Sequence, residues 1–149
     1  MIHYFAYGSN LSRSQMQDRC PGSRISRSGC LEGYRIDFTR FSSGWSGGVA
    51  DVVKSEGAEV WGVVYEITDS DLKKLDKYEG YPHVYTRFQT TIRTGDAEKE
   101  GVWTYTVREK AGFIPPNQNY LGILKNACVE YKFPDSYWQL LNKVEVAVG

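Results

Sequence analysis

Ile2-His3-Tyr4-Phe5-Ala6-Tyr7-Gly8-Ser9-Asn10-Leu11 is the stretch from which the rest of the chain can be ordered. Residues 2–7 are β-prone and end at Gly8-Ser9-Asn10, which predicts a short buried strand running into a tight loop. Ser12 and Gln15 then have the spacing of a capping box, and Met16 with Cys20 gives an apolar face that Pro21-Gly22 stops, so a short helix follows the loop. Gly8 lets the backbone approach a ligand, and successive amides at a strand-to-helix junction can converge as an anion-binding nest. Gly-Ser-Asn is equally the composition of an ordinary turn. The residues alone leave both readings open.

Outward from this element, Leu31, Tyr34, Ile36 and Phe38 mark a strand over residues 25–40, with a bulge or bend expected at Gly29 and Gly33. The Gly- and Ser-rich segment 41–48 contains Phe41 and Trp45 and reads as an ordered functional loop. Gly48–Val53 and Val60–Ile67 are predicted as a hairpin across the turn-like Lys54-Ser55-Glu56-Gly57. Thr68 offers an N-cap, Asp69 and Asp71 suit the positive end of a helix, and Leu72, Leu75 and Tyr78 carry helical spacing up to Glu79-Gly80. Val84–Thr94 and Gly101–Val107 form a second predicted hairpin with the charged tip 95–100. Helices are expected after Pro115-Pro116-Asn117, through Tyr120, Leu121, Leu124, Ala127, Cys128 and Tyr131, and after Pro134-Asp135. About six strands with interspersed and terminal helices predict one small α+β domain over residues 1–149, with a mixed, mostly antiparallel, curved β-sheet or barrel and flanking helices.

Composition narrows the function classes. Eighteen Lys plus Arg balance eighteen Asp plus Glu, without the basic excess that a phosphate backbone attracts, so no nucleic-acid partner is expected. No apolar run approaches the roughly 18 residues that span a bilayer, so no membrane partner is expected either. Three cysteines without a C-x-x-C pair, and a start lacking the regions of a signal peptide, read as free thiols in the cytoplasm. His3 and His83 are far apart with no ligand spacing around them, so no metal and no other cofactor is expected.

Local motifs without the right context carry no chemistry: Asn10-Leu11-Ser12 is a sequon without a secretory signal, and Ser70-Asp71-Leu72-Lys73 lies at a helix start. Two histidines give no convincing Ser-His-Asp triad. Glu79 stands among Tyr78, Tyr81, Pro82, Val84 and Tyr85; facing inward, it would lose hydration and its pKa would rise from about 4.3, making a base of it. Facing outward it would be a solvated helix-end acid. Tyr120 shares an apolar helical stripe with Leu124 and Cys128, where core packing is the ordinary reading.

Tyr4-Phe5-Ala6-Tyr7-Gly8-Ser9-Asn10-Leu11 resembles the signature strand and loop of the γ-glutamylcyclotransferase family. The similarity continues through residues 31–38, Gly47-Gly48-Val49-Ala50, residues 59–65, Leu75-Asp76-Lys77-Tyr78-Glu79-Gly80 and Pro116-Asn117-Gln118-Asn119-Tyr120, nearly the whole chain. The resemblance implies a fold around a small β-barrel and a pocket where the signature loop meets Glu79. It also implies the reaction: the α-amine of a γ-glutamyl compound attacks its own γ-carbonyl, giving 5-oxoproline and expelling an amino acid. Such a step needs a folded substrate conformer, a proton acceptor and oxyanion stabilisation, and no protein nucleophile. By position, Glu79 is implied as the catalytic acid and base, and Tyr4, Phe5, Ala6, Tyr7, Gly8, Ser9, Asn10 and Leu11 as the substrate-binding stretch. Within it the Gly8 and Ser9 amides would hold the oxyanion and substrate carboxylate, and Tyr7 and Asn10 would shape the loop; outside it Tyr120 would contact substrate, with Trp45 and Arg40 bordering the pocket. The partner implied is a small γ-glutamyl molecule, and homodimers in the family make a second copy of the chain a candidate partner. Tyr78, Tyr81 and Pro82 depart from the residues that flank this glutamate in relatives, which leaves the departing amine open between amino acids and simple amines. A noncatalytic module binding a γ-glutamyl or carboxylate ligand is the alternative of a different class.

Overall fold

Strand β1 (Ile2–Ala6) opens the chain and closes the sheet. In the computed structural model, which describes residues 1–148, it pairs antiparallel with β3, Phe5 opposite Val64, and parallel with β5 at Tyr4 and Trp103. With β2 (Arg24–Ser42), β3 (Gly47–Ile67), β4 (Tyr85–Thr94) and β5 (Ala97–Val107) it makes a closed barrel of order β1-β3-β2-β4-β5. Closure removes the unpaired edges that an open antiparallel sheet would leave. The α+β class and the curved, mostly antiparallel sheet agree with the sequence reading, but among the described residues there are five strands rather than six.

The difference lies in β3. Gly48–Val53 and Val60–Ile67 do not pair with each other; both run along β2 as parts of one 21-residue strand. Between Glu32/Glu59 and Tyr34/Lys54 the β2 chain spans two residues while β3 spans five, so residues 55–58 bulge within a strand and Lys54-Ser55-Glu56-Gly57 is not a hairpin turn. Gly33 and Gly57 face this irregularity with φ of 82° each, a conformation open to glycine. Gly29 is not bulged: it pairs in register with Gly62, and a Cβ there would press on Ile92 and the Arg93 carbonyl. The β4–β5 tip is also tighter than predicted, because Thr94 pairs with Ala97 and residues 97–100 belong to β5.

The helices follow their local signals. Helix α1 (Arg13–Arg19) is capped by Ser12, whose side chain accepts from the Gln15 amide. Helix α2 (Asp69–Glu79) has a full capping box between Thr68 and Asp71 and ends at Gly80 in the left-handed region, φ 67°. Asn117 caps α3 (Gln118–Glu130), and α4 (Asp135–Asn142) packs back on it. The approach to α3 is fixed by the start of β3: the Gly48 amide donates to Pro115 O at 3.0 Å, and a Cβ on Gly48 would overlap Ile114 O. This close passage carries Tyr120 to the barrel mouth. Phe5, Phe38, Val52, Tyr65, Leu75, Leu121 and Leu124 are fully buried in one continuous core, each such aliphatic side chain contributing about 1.5–3 kcal/mol by burial.

Candidate active site

The chain leaves β1 at Tyr7-Gly8 and turns through a single 3₁₀ turn, Ser9–Leu11, in which the Leu11 and Ser12 amides donate to Gly8 O and Ser9 O at 3.0 Å each. These bonds leave the amides of Gly8 and Ser9 ahead of those the turn consumes. Side chains fix the turn from several directions. Tyr7 Oη donates to Tyr105 O at 2.7 Å, Tyr65 Oη to Asn10 O at 2.9 Å, and Asn10 Nδ2 to Tyr4 Oη at 2.9 Å. Asn10 Oδ1 in turn accepts from Gln15 Nε2 at 2.9 Å and Arg19 Nη1 at 3.0 Å. Only half of the predicted capping box at Ser12 forms, because the Gln15 side chain turns to Asn10 and Ser9 instead of the helix start.

Tyr4, Tyr7, Gly8, Ser9 and Asn10 line one cavity at the barrel mouth, together with Glu79 and Tyr120. The sequence-predicted residues Phe5, Ala6 and Leu11 do not line it; they are buried in the core and support the loop from behind. Tyr120 belongs to both settings. It is buried, its ring meets Trp45 edge-on at 5.1 Å, and its hydroxyl accepts the Ala50 amide hydrogen at 2.8 Å. That leaves the phenolic hydrogen available to a ligand. Burial holds this phenol protonated, its pKa raised well above the ordinary value.

Glu79 is the last residue of α2 and lines the cavity. The residue as a whole keeps intermediate exposure through the cavity mouth, and among the described residues no side chain or backbone amide hydrogen-bonds its carboxyl. Desolvation raises its pKa to about 7, and the nearby Arg19 and Arg40 guanidiniums partly offset that rise. Its place at a helix C-terminus acts in the same direction as burial, because the negative end of the helix dipole disfavours a carboxylate.

The last turn of α2 is anchored to the barrel by Asp76. Arg87 binds its carboxylate through two nitrogens at 2.9 and 3.2 Å, and Tyr105 Oη donates to it at 2.7 Å. The Arg87 guanidinium is also stacked between the Tyr81 and Trp103 rings at 4.5 and 4.4 Å. Tyr105 itself lines the cavity, so one residue links the helix, the barrel and the loop.

Arg40 and Trp45 border the cavity as expected, but Arg19, Tyr85 and Tyr105 also line it and were not among the sequence candidates. Arg19 had a signal, a base in the last turn of the helix that follows the loop. Asp51 had one as well, the lone acid in the apolar run Gly47–Val53. It is completely buried behind the cavity, accepting from Thr39 Oγ1, Thr106 Oγ1, the Val52 and Val107 amides and Lys110 Nζ at 2.6–3.0 Å.

A roomier hollow between α3 and the C-terminal segment is lined by Leu121, Ile123, Val144 and Val146, with Lys125 its one charged residue, and has no group suited to acid–base work. Among the described residues no three His, Cys, Asp or Glu side chains cluster as ligands for a metal ion, and no helix is long and apolar enough to cross a membrane.

Comparison with known proteins agrees with this geometry. Residues 4–126 match the model of the family described as gamma-glutamyl cyclotransferase, AIG2-like. The chain is 31% identical to gamma-glutamylcyclotransferase of Bos taurus over 147 residues, which cover 95% of this chain and 78% of that protein. It is 30% identical to gamma-glutamylcyclotransferase of Homo sapiens over the same shares. A solved structure of a gamma-glutamyl cyclotransferase superposes with a TM-score of 0.92 at 28% identity, over 99% of this chain and 90% of that one. A match over this much of the chain, in sequence and in fold, places it in the γ-glutamyl cyclotransferase, AIG2-like family.

Proposed function

We infer that this enzyme is a γ-glutamylcyclotransferase, with residues 1–149 working as one domain and Glu79 as its catalytic acid and base. The substrate is a small γ-glutamyl amide. Its α-amine attacks its own γ-carbonyl carbon, a C–N bond forms to close the five-membered lactam, and the original amide C–N bond breaks to release the second amine. Glu79 accepts in turn the two protons that the α-ammonium loses, one before attack and one as the lactam N–H forms, and returns each to the departing nitrogen, which leaves as an ammonium, so no net proton is gained or lost by the enzyme. A carboxyl poised near neutrality suits both transfers. The Gly8 and Ser9 amides and the Tyr120 hydroxyl are the donors for the developing oxyanion and the glutamyl carboxylate.

The observation that carries this reading is the presence, in one cavity, of an acid without a hydrogen-bond partner among the described residues and a rigidly braced loop whose backbone amides face the Tyr120 hydroxyl. The three cysteines, free and buried, support the cytoplasmic location expected from the sequence. The homodimer implied by the family resemblance is tested by sedimentation at several concentrations.

The decisive experiment is release of 5-oxoproline from γ-glutamyl-alanine, followed by mass spectrometry, for the wild-type enzyme and Glu79→Gln. Loss of general acid–base catalysis is expected to lower turnover by about 10²-fold or more. Equal turnover removes Glu79 from the mechanism, and ligand binding without any 5-oxoproline across a panel of γ-glutamyl amides leaves a binding module in place of an enzyme.

A further inference from the structure

Arg40 is a half-buried guanidinium in the cavity, and among the described residues it has neither an ion-pair partner nor a hydrogen-bond acceptor. Other half-buried arginines nearby are engaged. Arg87 is held by Asp76, Arg93 by Glu59, and Arg19 donates to Asn10 Oδ1 while its guanidinium covers the Tyr78 ring at 4.5 Å. Glu79 acts on Arg40 through space without a hydrogen bond to it, and a cation taken partly out of water without a hydrogen-bonded anion is unfavourable; the site regains that energy when a ligand supplies one.

The placement of Arg40 says which part of a ligand that is. Arg19 is fastened to the signature loop through the Asn10 side chain. Arg40 stands near the end of β2, within electrostatic reach of Glu79 and Tyr85, and with Ser42 and Trp45 lines the wall leading into the β2–β3 turn. Tyr120 separates the two regions: its hydroxyl lies against Gly8 and its ring against Trp45. The glutamyl head of a substrate occupies the loop side, so the departing group extends along the Arg40 wall.

Charge arithmetic agrees. The cavity offers two guanidiniums and one carboxyl. A γ-glutamyl amino acid carries two carboxylates and one ammonium, the complementary set, whereas the γ-glutamyl amide of a simple amine lacks one of the carboxylates.

We propose that Arg40 recognises the carboxylate of the departing amino acid and is thereby the residue that selects γ-glutamyl amino acids over γ-glutamyl amines. The proposal rests on the cyclotransferase reading given above. The bond formed and the bond broken are identical for both substrate classes, so any difference between them arises from recognition of the departing group. Arg40 also acts on Glu79 electrostatically, but that influence is common to both substrates and cancels in the ratio of their kcat/KM values.

The test compares γ-glutamyl-alanine with γ-glutamylethylamide, whose departing amine is alanine without its carboxylate, in the wild-type enzyme, Arg40→Gln and Arg40→Lys. The wild type is expected to favour γ-glutamyl-alanine by at least tenfold in kcat/KM. Arg40→Gln is expected to reduce that ratio by about 10- to 100-fold, the range for loss of a charged hydrogen bond, and Arg40→Lys to restore part of it. A wild-type ratio below threefold overturns the proposal without reference to any variant. Equal losses on both substrates in Arg40→Gln, or an unchanged ratio, overturn it while leaving the cyclotransferase reading intact. Absence of 5-oxoproline from both substrates with the wild-type enzyme overturns that reading and this proposal together.

Discussion

A Cβ built on Gly8 would lie 3.0 Å from the Tyr120 hydroxyl oxygen, closer than side chains comfortably approach. The same hydroxyl accepts from the Ala50 amide at 2.8 Å, so it has little freedom to retreat. Gly8→Ala is therefore expected to displace the loop from Tyr120 and lower kcat/KM by tenfold or more, and Tyr120→Phe to lower it by a similar factor through loss of a donor. The two changes are expected to be non-additive. In a Tyr120→Phe background the extra methyl at position 8 meets no hydroxyl, so Gly8→Ala is expected to cost clearly less there. A double-mutant cycle on 5-oxoproline release measures the coupling, and additive losses would show that the two residues act separately.

Asp76 holds the end of α2 against the barrel, three residues before Glu79, through Arg87 and Tyr105. Both ionic partners are largely shielded, with side-chain exposures of 16% for Arg87 and 17% for Asp76, so removing one leaves the other poorly solvated. Arg87→Met is expected to destabilise the fold by about 3 kcal/mol. Because Glu79 lies on the same helical turn, kcat is expected to fall more than KM rises, and the pH profile of the remaining activity to broaden as the carboxyl loses its fixed surroundings. Thermal unfolding and pH-dependent kinetics measure the two effects separately. A variant with lower Tm but an unchanged pH profile would confine the Asp76–Arg87 pair to stability.

How much of this was legible in the sequence depended on the range of the interactions involved. Helix ends are set by neighbours within four residues, so Thr68 with Asp71, Ser12 and Asn117 announced α2, α1 and α3 correctly. The continuity of β3 is a long-range property. Lys54-Ser55-Glu56-Gly57 has the composition of a turn, and what keeps it inside a strand is β2 running alongside both halves, with glycines of positive φ, Gly33 and Gly57, taking up the irregularity in the two strands. In the site, the signature loop and Glu79 could be paired through family resemblance, since no local pattern brings residues 8 and 79 together. The three signature residues assigned to substrate but buried instead, Phe5, Ala6 and Leu11, reflect strand alternation and packing: a contiguous stretch cannot present every side chain to one cavity. Tyr85 is near Glu79 in sequence but, like Tyr105, looks like any other aromatic on a barrel strand, and nothing local marks either as a cavity residue.

Asp51 tests whether a buried network behind the cavity holds the barrel together. Its carboxylate has 0% exposure and draws donors from β2, β5 and the segment after β5. Asp51→Ala is expected to destabilise the protein by about 3–5 kcal/mol, since it strips the partner from Lys110 and from buried amides and hydroxyls. Lys110→Met is expected to cost much less, because Lys110 retains access to solvent and Asp51 keeps its other donors. Denaturant unfolding of the two variants ranks them, and equal losses would mean that the ion pair, not the wider network, supplies the stabilisation.

The raised pKa of Glu79 makes opposite demands on activity and stability. As the base, it must be ionised, so kcat/KM is expected to fall as pH drops below about 7, following that single group. For stability the sign reverses. The folded protein keeps the Glu79 proton up to about pH 7, whereas an unfolded chain loses it near its ordinary value of 4.5, so the folded state binds more protons between these limits. Stability contributed by this group is full below about pH 4.5 and is lost as pH rises through about 7. Glu79→Gln keeps the shape and removes the titration. Its Tm is expected to exceed that of the wild type at pH 8 and to converge with it at pH 4.5, even though its activity is lost. Parallel Tm curves for the two proteins across that window would show that the carboxyl titrates at its ordinary value in the fold, and would remove the physical basis for assigning it as the base.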